Sequence, residues 1–173
     1  MDPLQDFESR VLPHLDAAYN LARWLLRSAQ EAEDAVQEAS LRALRYAGTL
    51  RGEDARPWLL GIVRNTCFNM LERQRRQAEM LEFDSAEFEL ARGATQAEPM
   101  EQVQQRRLRT QIDAAIRALS PALREVIVLR ELEGLAYDEI AQVAGLPIGT
   151  VMSRLSRARA LLRTALSTVS QGE

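Results

Sequence analysis

The sequence predicts an all-α protein built as two small helical domains joined by a flexible acidic linker, the second domain carrying a helix-turn-helix. Three observations lead there. The chain holds eight Gly, six Pro and only 5% aromatic residues among 173, with long stretches rich in Ala, Leu, Arg, Glu and Gln, a composition that favours helix over strand. Apolar residues recur at steps of three and four through both flanks of the chain, the spacing of one helix face. The net charge of −3 is unevenly spread: residues 1–76 carry eleven Arg against eleven acids, residues 77–105 one Arg against seven acids, and residues 106–173 ten Arg against seven acids. The acidity sits in the middle, and the last segment is basic, so the mean charge is no argument against a nucleic-acid partner.

The same numbers exclude several function classes. No apolar run approaches the roughly 20 residues that span a bilayer, and MDPLQDFESR lacks a basic start followed by an apolar stretch. No membrane insertion is expected, and the expected location is the cytoplasm. One cysteine, Cys67, permits no internal disulfide; with one histidine, His14, it forms no metal-ligand or nucleophile pattern. Neither an enzyme nor a cofactor or metal is expected. All 22 basic residues are Arg, whose planar fork suits phosphate and guanine.

In the first domain, residues 1–76, Pro13 suits the start of a helix running to about Ser28 with Leu15, Ala18, Tyr19, Ala22, Leu25 and Leu26 on one face. A second helix from about Ala32 to Tyr46 turns Ala35, Val36, Ala39 and Ala43 inward, and Gly48 and Gly52 break the chain after it. Pro57 opens a third helix reaching about Arg76. Residues 77–105 mix acids with Gly93, Thr95 and Pro99, show only patchy periodicity, and read as the linker.

In the second domain, residues 106–173, a helix from about Arg106 ends at Leu119. Ser120-Pro121 then reads as an N-cap followed by a residue preset for the first turn, and the next helix reaches Leu132. Gly134 breaks it; Tyr137 to Ala144, the turn Gly145-Leu146-Pro147, and a helix from Ile148 to about Leu166 complete a helix-turn-helix. In the last helix Ile148, Val151, Leu155, Ala158 and Leu162 form one apolar stripe. Ser153 and Arg157 lie opposite it, Thr150 and Arg154 on one flank, and Ser156 on the other. Hydroxyls and guanidiniums near a helix N-terminus are what major-groove readout uses. Arg159 and Met152 rotate toward the packed side, where Arg159 is placed to pair with an acid.

The segment LSPALREVIVLRELEGLAYDEIAQVAGLPIGTVMSRLSRARALLR, residues 119–163, resembles region 4 of the extracytoplasmic-function sigma factors, above all in YDEIA and in LPIGTVMSRLSRAR. The resemblance implies that Thr150, Met152, Ser153, Arg154, Ser156 and Arg157 meet the −35 promoter element. Met152 and Ser156 stand where many members have a basic residue and an aromatic or His, so the preferred −35 sequence is not implied. Ala136 stands where a Ser N-cap is common, a loss of about 1 kcal/mol of helix stability.

AEDAVQEASLRALR, residues 32–45, resembles the family's docking motif for the polymerase clamp helices, which assigns that role to Asp34, Gln37, Glu38, Leu41 and Arg42. LRGEDARPWLLGIVRNTCFNMLERQRR, residues 50–76, is similar to the part of region 2 that recognises the −10 element. Here Trp58, Asn65, Asn69, Arg73 and Arg76 share one helix face, an aromatic, two amides and two cations suited to unpaired bases and backbone; Trp58 is equally placed to be a core anchor. By resemblance the preceding loop, Arg51 to Arg56, pockets a base flipped from the duplex. Cys67, beside that face among Val63, Thr66, Met70 and Leu71, reads as a buried small hydrophobe.

The resemblance thus implies an alternative sigma factor of a stress or signal response. It would work with core RNA polymerase, through the clamp helices and flap, and with promoter DNA, and would be governed by an anti-sigma factor. Two other readings fit parts of the pattern: a stand-alone helix-turn-helix regulator, and a sigma mimic that titrates an anti-sigma factor. The docking motif speaks against the first, the intact DNA-facing residues against the second.

Overall fold

The computed structural model describes residues 2–80 and 99–170, all-helical apart from turns. Much of the segment read as a linker, residues 81–98, lies outside them. A first helix not expected from the sequence, α1 (Pro3–Val11), precedes Pro13; Asp2 accepts from the Leu4 backbone N–H at 3.1 Å and Pro3 follows at the first helical position. Pro13 does not open a long helix. It sits in a 3-10 turn, Leu12–His14, that joins α1 to α2 (Leu15–Leu25), where its missing N–H and fixed φ are accommodated.

The second helix ends at Leu25, short of Ser28, because Ser28 starts the next one. Leu26 turns extended, and the Ser28 hydroxyl accepts from the Glu31 backbone N–H at 3.1 Å while the Glu31 carboxylate accepts from the Arg27 N–H at 3.2 Å. That Ser-x-x-Glu arrangement moves the start of α3 (Ala29–Arg45) ahead of the expected Ala32. The buried Ala32, Ala35, Ala39 and Ala43 let α3 lie close on α2 and α4. After a 3-10 turn at Ala47–Thr49, α4 runs from Arg56 to Met80, past the expected end at Arg76.

Beneath the middle of α4, Cys67 is fully buried, and burial pushes its thiol up to about 12. The sulfur is a packing atom, as the sequence indicated. We expect Ellman's reagent to leave the native chain unlabelled at neutral pH and to react fully once denaturant is added. Rapid labelling of the folded chain would contradict this burial.

The helix expected from about Arg106 begins earlier, with α5 (Met100–Ala118) starting after Pro99, so that helix occupies both ends of the segment 77–105. The short α6 (Pro121–Ile127) continues into a π-helical turn, Val128–Leu132. Then α7 (Tyr137–Ala144) ends at Gly145, whose φ of +66° would strain any other residue. Ala136 provides no side-chain cap, but Glu139 accepts from the Ala136 N–H at 2.9 Å and recovers half of the missing capping box. In α8 (Ile148–Ser170) the stripe is buried at Val151, Leu155 and Ala158, whereas Ile148 is exposed because it lies at the helix start beyond the packed turn.

The two domains are not held apart. Helix α4 packs along α7, α2 meets α6, and one apolar cluster runs through both. Gly61 lies at that crossing, where an added Cβ would make an ordinary van der Waals contact, 3.6 Å, with the Val143 carbonyl oxygen.

Candidate nucleic-acid interface

Helices α7 and α8 place the second-domain candidates. Because the buried stripe faces α6 and α7, the opposite side of α8 is left to solvent. Ser153, Ser156 and Arg157 are exposed and Thr150 and Arg154 half-buried; Met152, expected toward the packed side, is exposed instead, because it lies next to the buried Val151 on the solvent side of the stripe. The Ser153 hydroxyl donates to the Thr150 carbonyl at 3.0 Å. Ser153, Arg154 and Arg157 line a groove of about 450 Å³ together with Ser120, Ala122 and Leu123. Ser120 was expected to cap α6, but its side chain makes no capping bond and lines the groove instead. Arg159 points away: it donates to Glu131 at 2.8 Å, the acid pairing expected of it.

Further along α6 lies Glu125, fully buried, with Arg154 nearby. Its carboxylate accepts from Arg64 Nε at 2.7 Å and from Arg64 Nη2 at 3.1 Å. Burial pushes the Glu125 carboxyl above the ordinary carboxylate range, and the nearby Arg64 and Arg154 charges oppose that rise. Only a hint was legible: an acid one residue before the apolar run Val126–Leu129.

In the first domain, α4 presents Asn65, Asn69, Arg73 and Arg76 to solvent on one face. Its cations are partly engaged, Arg76 with Glu72 at 3.3 Å and Arg73 with Glu38 at 3.9 Å; Arg75, which donates to Glu72 at 2.8 Å, and Arg76 hold the Glu72 carboxyl below its usual range. Trp58 is half-buried and packs on the core, with Nε1 aimed at the Thr49 hydroxyl at 3.4 Å, so it serves partly as the anchor that the sequence left open. Arg51 is exposed. Two contacts steady the loop around it: Arg10 donates to the Gly52 carbonyl, and Asp54 accepts from the Arg56 N–H at 2.9 Å. Arg56 reaches into the second domain and donates to the Glu133 carbonyl.

On α3, Asp34, Gln37 and Leu41 are exposed, Leu41 at 63%. Arg42 and Glu38 pair at 2.6 Å beside them. The structure adds Leu44 and Tyr46, both exposed, to the bare Leu41. No group of side chains among the described residues is arranged to hold a metal ion, and no described helix is long and apolar enough to cross a membrane.

Residues 11–77 match the family description Sigma-70 region 2, and residues 109–162 match Sigma-70, region 4. The chain is 35% identical over 165 residues to the RNA polymerase sigma-H factor of Pseudomonas aeruginosa, covering 92% of this chain and 86% of that one. It is 39% identical over 131 residues to the ECF RNA polymerase sigma-E factor of Escherichia coli strain K12, covering 73% of this chain and 69% of that one. Among solved structures, the sigma factor RpoE of Bartonella quintana, in complex with the anti-sigma factor NepR, superposes with a TM-score of 0.77 at 27% identity, over 94% of this chain and 98% of that one.

Proposed function

The chain belongs to the extracytoplasmic-function class of the sigma-70 family and is an alternative sigma factor, and from that premise we propose how its two domains divide the work. The first domain docks on core polymerase through Asp34, Gln37, Glu38, Leu41 and Arg42, with Leu44 and Tyr46 extending the apolar contact. Its α4 face, Asn65, Asn69, Arg73 and Arg76, meets the opened −10 strand, helped by Arg51, Arg56 and Trp58. The second domain sets α8 in the major groove at −35 with Thr150, Met152, Ser153, Arg154, Ser156 and Arg157.

The observation that carries this reading is the groove beside α8. It gathers two guanidiniums and two hydroxyls, from Arg154, Arg157, Ser153 and Ser120, along a helix whose other side is locked in the core. Separating strands costs roughly 1.4 kcal/mol per stacked step. The isolated chain therefore leaves duplex closed, and contacts with polymerase supply the rest. An anti-sigma factor is a fitting partner, since RpoE, similar along nearly its whole length, was captured with one. The chain acts in the cytoplasm in answer to a signal or stress, and the bond-making chemistry belongs to the polymerase.

Run-off transcription with purified core polymerase tests the assignment. We expect the Asn65→Ala, Asn69→Ala double variant to lose roughly tenfold in transcript, two amide hydrogen bonds at about 0.5–1.5 kcal/mol each, while still binding duplex that carries only the −35 element. A double variant that transcribes like the parent would refute the −10 face.

A further inference from the structure

Helix α1 is fastened to the body by little apolar surface. Only Val11 is buried, with Phe7 partly buried against the core, so packing gives the helix a small share in the stability of its domain. Its polar side chains show where it is directed. Arg10 donates to the Gly52 carbonyl, and His14, four positions on in the 3-10 turn, brings Nε2 to 4.0 Å from Asp54 Oδ1. Asp6, one turn back on α1, lies 3.6 Å from the Arg10 guanidinium and steadies it. Two side chains of one short segment thus reach the same loop, the one that precedes α4.

That loop needs support from outside. Arg51, Gly52, Glu53 and Asp54 are all exposed, and only Ala55, 1% exposed, plugs into the core. Gly52 stands at φ +81°, where glycine meets no steric penalty but is not confined either, so its carbonyl is free to turn unless something holds it. Thr49 and Trp58 close the neck of the loop at 3.4 Å, and Asp54 accepts from the Arg56 N–H at 2.9 Å. Among the described residues, Arg10 and His14 are the only side chains from outside the loop that hydrogen-bond or ion-pair with residues 51–54.

A loop that meets an opened strand gains from being held before the strand arrives. If it keeps the accepting shape only part of the time, it binds an unpaired base more weakly by that fraction. The cations of the α4 face do not share this dependence, because Arg73 and Arg76 meet backbone phosphate whatever the base. Loosening the loop therefore lowers base preference more than it lowers affinity.

We propose that α1 belongs to the −10 reader: Arg10 and His14 are positioning residues that hold the loop 51–54 ready for an unpaired base, and through them the N-terminal helix sets promoter specificity without touching DNA. This rests on the −10 assignment of the first domain made above.

The test uses holoenzyme assembled from core polymerase and the full chain, bound to fork DNA whose −10 bases are unpaired on one strand, each base varied in turn. We expect the Arg10→Ala, His14→Ala double variant to lose about tenfold in preference between the best and worst base at one or two positions, as for a loop held ready about one time in ten, while total affinity falls less. Arg10→Lys, which can still donate to a carbonyl, is expected to keep most of the preference. Gly52→Ala addresses the loop itself. A Cβ there meets nothing within 4 Å, but φ of +81° disfavours it, so the same positions should lose preference with Arg10 and His14 intact. Melting followed by circular dichroism and competition for core polymerase are expected to match the parent for the Arg10 and His14 variants. Parental base preference in the double variant, or in Gly52→Ala, would overturn the positioning role and leave the sigma assignment untouched. A uniform loss at every base, or one that follows a fall in melting temperature or in core binding, would overturn it too, since α1 would then act only as a strut. A parent without base preference in the open strand would remove the −10 assignment and this role together.

Discussion

Leu155→Ala is expected to destabilise the second domain by about 2–5 kcal/mol, the range for deleting a buried leucine side chain whose site relaxes only in part. Leu155 is 1% exposed and lies on the α8 stripe between Val151 and Ala158, against α6 and α7. The cavity would open directly behind the groove, so the loss should reach function: α8 no longer holds Ser153, Arg154 and Arg157 in one arrangement, and −35-dependent transcription falls with stability. Urea unfolding followed by circular dichroism checks the first part, and transcription at two temperatures the second. A stability loss well under about 1 kcal/mol would show that this part of α8 is not packed as described.

The Arg154→Ala, Arg157→Ala double variant is expected to lose about a hundredfold or more in discrimination between an intact and a scrambled −35 element, at about 1–3 kcal/mol for each well-placed guanidinium. Both residues line the same groove, yet Arg157 is exposed whereas Arg154 is half-buried and shares the field of Glu125. Their roles should therefore separate. Arg157→Ala alone should act mainly on DNA, while Arg154→Ala should also alter the free chain's domain contact. Promoter binding by polymerase holoenzyme across a salt series measures this, and the slope against salt should shrink by one to two if either cation meets phosphate. Retained discrimination in the double variant would move base reading elsewhere on α8.

Most helices were legible because their causes are local. The α8 stripe, Ser120-Pro121, Gly134 and Gly145 act through neighbours a few residues away, and they placed α6, α7 and α8 nearly where they lie. The misreadings were also local. Pro13 carries a helix-start signal although α1 already precedes it, and the Ser28-x-x-Glu31 cap competes with the periodicity that continues from α2, which displaces the boundary between α2 and α3. In both places two starting signals lay within one or two turns, and periodicity does not choose between them.

The candidate faces divide along the same line. By itself the sequence determined an all-helical chain, the polar side of α8, the amide and cation face of α4 and the bare Leu41, because helical periodicity alone sets which side chains share a face. It even placed Arg159 toward an acid. The tertiary structure decided that Arg56 and Arg64 turn toward the second domain, that Ser120 joins the groove, and that Glu125 is buried against Arg64. Arg64 and Glu125 are 61 positions apart, and nothing in the residues around either names the other as partner. Their pairing follows from how α4 packs along α7 and α2 meets α6, a product of many packed contacts summed over both domains rather than of any local signal.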